Sequence, residues 1–193
     1  ILNSLGYVNY LSFRYKQSID FINQIIETNV LLGNDSYKKE YYYHLGLCYY
    51  FLGDYNSSID YFYEQLLAYK SDSVSTVVGS TYYALGKNYQ KIGLTNKSIK
   101  YYKFAIDYSS NNNEYILECY SRNGMAIALI EFGELEEANS QLYRSLKIGE
   151  ENEKAVVHDT YAILGRLKTV ENKIDSAFYF LRVDDIAPSR IQT

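Results

Sequence analysis

Proline is all but missing from this chain. Pro188 is the only one in 193 residues, so nothing before the far end interrupts a helix by removing an amide donor. Tryptophan is absent, and cysteine occurs twice, at Cys48 and Cys119. Neither cysteine has a CxxC partner and each falls in a helical register, which reads as two small buried thiols rather than a disulfide or a thiolate metal site. Such usage fits a reducing compartment, the cytoplasm ahead of the periplasm. The two histidines, His44 and His158, stand apart, with no Cys, Asp or Glu at ligand spacing. No apolar run approaches the roughly 18 residues a membrane span requires.

Net charge is also small, −4 overall. Residues 1–100 hold 9 Lys+Arg against 8 Asp+Glu, and residues 101–193 hold 10 against 15. A nucleic-acid surface needs a concentrated basic stripe to displace counterions, and none is present. The acidic excess of the second half, at Glu131, Glu134, Glu136, Glu137, Glu150, Glu151 and Glu153, reads as a solvated face and as favourable charge at helix starts. There is no Gly-rich phosphate loop and no nucleophile–base constellation. The expectation is a protein without catalytic residues, metal or cofactor, not an enzyme. The chain opens at Ile1 with neither methionine nor a signal pattern, so a fragment of a longer protein is expected.

What the chain does have is tyrosine, 24 of them, and a period. Tyr42 to Leu67 reads YYHLGLCYYFLGDYNSSIDYFYEQLL, and 40 residues later Tyr82 to Ile106 reads YYALGKNYQKIGLTNKSIKYYKFAI. The pattern extends to five copies. Leu5-Gly6, Phe13-Arg14-Tyr15 and Ser18-Ile19 open it; Leu45-Gly46, Gly53-Asp54-Tyr55 and Ser58-Ile59 follow, then Leu85-Gly86, Gly93 and Ser98-Ile99. The fourth copy is worn, with Met125-Ala126, Gly133 and Ala138-Asn139; the fifth, one residue early, has Leu164-Gly165, Asn172-Lys173-Ile174 and Ser176-Ala177. A fixed period of this length marks a stacked repeat array.

Each copy resolves into two helices. Tyr42, Leu45, Tyr49 and Leu52 share one helical face, and Ile59, Phe62 and Leu66 mark a second. Gly53 sits where a helix ends. Gly46 and Ser58 are expected where the two helices cross closely, since neither carries a bulky side chain. Polar stretches Gly33 to Ser36, Ser71 to Ser73, Ser109 to Asn113 and Gly149 to Glu153 are expected to turn the chain between copies. About six residues of turn per period leave two helices of roughly 16 residues, near 24 Å each.

These residues resemble the tetratricopeptide repeat, whose motif places an aromatic, Leu-Gly, Tyr, Gly-x-Tyr, a small residue and a further aromatic in order. Tyr42, Leu45-Gly46, Tyr49, Gly53-Asp54-Tyr55, Ser58 and Phe62 fill those slots, as do Tyr82, Leu85-Gly86, Tyr89, Gly93, Ser98, Tyr102 and Ala105. The period is 40 rather than the family's 34 and the helix-ending proline is missing from the internal copies, which points to longer helices. The resemblance implies an all-α, right-handed superhelical solenoid of antiparallel helix pairs. It spans 1–193 as one domain, with repeats of about 1–36, 37–76, 77–116, 117–155 and 156–193.

It also implies a concave groove lined by the first helix of each repeat. By register the groove would present Asn3, Tyr7 and Tyr10; Tyr43, Leu47, Tyr50 and Phe51; Tyr83, Lys87 and Gln90; Asn123 and Ile127; and Arg166 and Thr169. Tyr42, Tyr49, Tyr82 and Tyr89, in motif slots, would pack between helices instead. The Lys–Asn clamp by which chaperone-binding members grip a terminal carboxylate is not reproduced, because its slots hold Tyr43, Leu47, Tyr83 and Lys87. The expected function is a non-catalytic scaffold taking a protein or peptide into the groove. Its alternative is a sensing module of a bacterial transcription regulator or sensor kinase, and a third use is self-association through the terminal repeats.

Overall fold

The computed structural model describes residues 10–31, 38–69, 76–152 and 154–186. Asn3, Tyr7, Pro188 and the turns expected at Gly33 to Ser36 and Ser71 to Ser73 lie outside them. Among the described residues, 10–11 are helical and nine further helices follow: α1 Tyr15–Leu31, α2 Lys38–Leu52, α3 Tyr55–Ala68, α4 Thr76–Lys91, α5 Thr95–Asn111, α6 Tyr115–Phe132, α7 Leu135–Asn152, α8 Val157–Val170 and α9 Ile174–Ile186. A 3-10 turn, Lys154–Val156, leads into α8. No strand occurs among the described residues. The expected all-α class of paired helices is what the structure shows.

One backbone device ends the first helix of a copy wherever it is described. Gly53, Gly93 and Gly133 adopt φ of 80°, 74° and 89°, and Phe13 and Asn172 take the same left-handed conformation at φ 57° and 58°. Around Gly53 the amide of Asp54 donates to Tyr49 O at 3.0 Å and that of Gly53 to Tyr50 O at 3.1 Å. This closes the last turn with carbonyls that the helix would otherwise leave unpaired. Glu134 to Leu129 and Lys173 to Lys168 repeat it at 2.9 Å each. Asp54 then caps α3, accepting from the Ser57 amide at 3.1 Å.

The chain divides into two compact units, Ile1–Ile92 and Gly93–Thr193. In the first, Ile19, Ile22 and Ile25 of α1 meet Tyr41, Leu45 and Cys48 of α2, with Tyr49 and Tyr61 packed against them. The close crossing expected of α2 and α3 is present. Ser58 Oγ donates to Gly46 O at 2.7 Å, and a Cβ on Gly46 would lie 2.7 Å from the Phe62 ring. In the second unit α6 and α7 form one hairpin and α8 and α9 another, with α5 against α6 and α7 against α8. There Gly124 admits the Tyr102 ring and Gly165 admits Leu181. The small residue that each copy carries early in its second helix (Ser18, Ser58, Ser98, Ala138, Ala177) is buried in all five.

Two expected turns begin later than the sequence suggests. Ser109 and Gly149 are buried inside α5 and α7. Ser109 satisfies its hydroxyl on Ala105 O at 2.7 Å and Ile106 O at 3.1 Å. Gly149 lies under Val156 and Val157, where a Cβ would meet Val157 Cγ2 at 3.0 Å. Both residue types commonly mark helix ends, and here tertiary packing overrides that preference.

Candidate functional site

In the unit Ile1–Ile92 the first helices α2 and α4 bring three expected site residues together. Lys87 of α4 holds its ammonium 4.8 Å from the ring centre of Tyr50 on α2 and 5.7 Å from that of Tyr83 on its own helix. A cation over an aromatic face is attracted by the ring quadrupole, more so when water is partly excluded. Burial, and after it the nearby charge of Lys91, lowers the Lys87 pKa below the usual lysine value. Burial, then Tyr55, raises that of Tyr50. Tyr43 has its pKa raised by burial, against which a hydrogen bond with Ser80 works. Its ring centre lies 5.7 Å from that of Phe62, and its backbone amide donates to the buried Gln65 Oε1 at 2.9 Å. Leu47 and Gln90 are partly exposed on the same two helices.

Tyr10 joins a second aromatic group, its ring centre 5.9 Å from Tyr15, 6.2 Å from Phe51 and 6.3 Å from His44. The motif tyrosines hold helices together. Tyr49 stacks on Tyr61 at 5.3 Å, and the buried Tyr89 shares a 2.8 Å hydroxyl hydrogen bond with Tyr63.

In the unit Gly93–Thr193 the expected residues are differently placed. Asn123 is only 4% exposed, and its amide nitrogen donates to Thr160 Oγ1 on α8 at 3.0 Å. Thr160 in turn lies 3.2 Å from Ser145 Oγ. Where Tyr43 and Tyr83 have reach, the short Asn is drawn into a buried polar junction between α6, α7 and α8. Arg166 is exposed and pairs with Glu131 at 3.6 Å. Ile127 is partly buried and Thr169 exposed, its hydroxyl bonded back to Gly165 O at 2.9 Å.

The family model for the tetratricopeptide repeat matches residues 39–72 and 79–112, the stretches that carry α2–α3 and the Tyr83–Lys87 helix. Those two stretches are tetratricopeptide repeats. No curated protein matches the chain in sequence. Among solved structures, the Q17M form of a Podosopora anserina protein described as a kinesin light chain with nearly identical repeats of this kind superposes with a TM-score of 0.80 at 12% identity, over 99% of this chain and 94% of that one. RapI in its apo form gives 0.84 at 15% identity over 93% of this chain, and aspartyl phosphate phosphatase F from Bacillus subtilis gives 0.82 at 15% over the same share. This chain spans 66% of the former and 47% of the latter.

Two features of this repeat protein escape a motif reading. Arg122 occupies the slot of Tyr42 and Tyr82, yet it is buried. Its Nε donates to Glu118 Oε1 at 3.0 Å and its Nη2 to the same oxygen at 2.6 Å, while Nη1 reaches Gln141 Oε1 on α7 at 2.7 Å. The four-residue spacing of Glu118 and Arg122 is the one sequence signal for it. Lys168 is also buried, donating to Asn139 Oδ1 at 2.7 Å and Glu171 Oε2 at 3.0 Å. Cys48 and Cys119 are buried thiols outside any disulfide, and Cys119 Sγ donates to Ser145 O at 3.4 Å. Among the described residues no group of three His, Cys, Asp or Glu could hold a metal, and no helix is long and apolar enough to cross a membrane.

Proposed function

We propose that the chain is a non-catalytic scaffold that takes an extended or helical segment of a protein partner against the first-helix faces of its repeats, centred on Tyr50, Tyr83 and Lys87. The observation that carries this reading is the half-buried Lys87 ammonium over two tyrosine faces on adjacent first helices. Such a surface offers a partner wide, rigid aromatic area, hydroxyl tips for hydrogen bonding and one cation to fix register. Gln90 supplies a further polar contact, Tyr43 and Leu47 more apolar area. Asn123, spent on Thr160, contributes nothing.

The test is selection from a displayed random-peptide library. Peptides enriched on the wild-type chain are expected to lose about tenfold or more in affinity for Tyr50→Ala and Lys87→Ala, with helicity kept. Enriched peptides that bind both variants as well as wild type would refute the assignment of these residues. A sensing module of a bacterial regulator is the second reading, favoured by the likeness to RapI and to an aspartyl phosphate phosphatase. It requires that a selected peptide change the small-angle scattering profile of the chain, which a passive scaffold does not.

A further inference from the structure

Phe13 is the anomaly of the first unit. It stands in the left-handed slot that Gly53, Gly93 and Gly133 fill elsewhere, at φ 57° and 79% exposed. A large side chain is disfavoured in that conformation. Its ring does not bury itself in return, but rests edge-on against Tyr15 at 6.2 Å. Tyr15 stacks on Phe51 at 5.0 Å and 10°, and Phe51, itself 49% exposed, meets Tyr50 at 5.4 Å. The turn edge of the first two copies is therefore a run of rings in which Phe13 and Phe51 are exposed and Tyr15 partly so, with Leu11 and Leu52 exposed alongside. Arg14 and Lys16 are exposed on either side of Tyr15.

The turn edge of the fourth copy has the opposite charge. Phe132, 55% exposed at the end of α6, lies between Glu131 and Glu134, with Glu136 and Glu137 in the first turn of α7, all exposed. An apolar centre within a charged rim is the anatomy of an interface, and the two rims are complementary in sign. We infer that these edges are the two sides of one self-association contact. The Phe13–Tyr15–Phe51 edge of one copy, flanked by Arg14 and Lys16, docks on the Phe132 edge of a second copy, flanked by Glu134 and Glu136. The contact is heterologous, so it closes into a ring of two or more copies where its rotation closes and otherwise extends. It is centred on Phe13, Tyr15 and Phe51 at the turns rather than on Tyr83 and Lys87, and borders the proposed peptide face only where Phe51 meets Tyr50.

Sedimentation velocity across a concentration series tests it, with circular dichroism confirming that each variant folds. The wild type is expected to associate reversibly, and more weakly as salt shortens the screening length from about 10 Å near 0.1 M to about 3 Å near 1 M. Arg14→Glu with Lys16→Glu, and separately Glu134→Lys with Glu136→Lys, should each weaken association by about tenfold or more through like-charge contact. Phe13→Gly, which suits the backbone at that slot, should also weaken association while leaving the fold intact. Mixing the two charge-reversed variants should restore association, since each then meets an edge of opposite sign. A wild type that stays monomeric, reversed variants that associate like wild type, or a mixture that fails to recover would each overturn the inference.

Discussion

Replacing Gly46 by alanine sets two effects of known sign against each other. Alanine favours a helix interior over glycine by about 1 kcal/mol. Against this, the added Cβ would lie 2.7 Å from Phe62 Cε1 and 2.9 Å from Cδ1 and Cζ, roughly an ångström inside an ordinary carbon contact of about 3.5–4.0 Å. Phe62 cannot retreat: it is fully buried, with Tyr43 5.7 Å away on ring centres. Forcing one extra carbon into a filled crossing typically costs about 1–3 kcal/mol, so Gly46→Ala should destabilise the chain by about 1 kcal/mol net. Widening the crossing would also stretch the 2.7 Å bond from Ser58 Oγ to Gly46 O.

The decisive measurement is the same substitution in a Phe62→Leu background. Leucine removes the ring edge that the methyl strikes, so the helix preference then sets the sign. Gly46→Ala should become neutral or stabilising by up to about 1 kcal/mol, a coupling of about 1–2 kcal/mol between the two sites. Urea unfolding followed by far-ultraviolet circular dichroism reads all four corners of the cycle. If Gly46→Ala costs the same in both backgrounds to within about 0.5 kcal/mol, the crossing is not held open for Phe62 and the packing argument fails.

Three further outcomes follow from the same structure. Phe13→Gly should stabilise by up to about 1 kcal/mol by relieving left-handed strain, whereas Gly53→Ala should destabilise by a similar amount although nothing lies within 4 Å of its Cβ position; equal effects of one sign would contradict this. Arg122→Met alone strands Glu118 and should cost about 3–5 kcal/mol, while Arg122→Met with Glu118→Leu should recover most of the loss, as measured by urea midpoints. Glu171 is opposed by burial but held ionised by the ammonium groups of Lys168 and Lys173, so its pKa falls below the ordinary 4.5. A depressed carboxylate contributes stability that is complete above 4.5 and fades as pH drops through the folded value. The difference between wild type and Glu171→Gln should therefore be largest near neutrality and shrink in acid; a difference that grows on acidification would show the opposite linkage.

The hairpins were legible because their determinants are local and repeated. Leu45, Leu85 and Leu164 sit at the same slot and are all fully buried, and Gly46 with Ser58 marks a crossing that needs only two small residues to be read. Helix ends were less legible. Ser109 and Gly149 look like stops, and only the tertiary contacts they make show why the helices continue through them. The candidate site divides in the same way. Tyr50, Tyr83 and Lys87 follow from register, since their placement is repeat geometry. Asn123 does not, because its fate depends on Thr160, 37 residues away on another helix. Arg122 is hidden for a related reason: a buried charge in an aromatic slot is acceptable only with Glu118 and Gln141 in place, and a motif records the slot without the partners.

The tyrosines have one more consequence, which is optical. With no tryptophan, phenol dominates the near-ultraviolet absorbance, and phenolate absorbs at longer wavelength than phenol. Burial foremost raises the pKa of Tyr43, Tyr49, Tyr50, Tyr89 and Tyr161 above the ordinary 10.0. A group whose folded pKa is raised withdraws its stabilisation as pH climbs through and past the unfolded value. On alkaline titration these five phenols colour late, because their packing holds them protonated. The late part of that absorbance change is thus an optical report on the contacts around five rings.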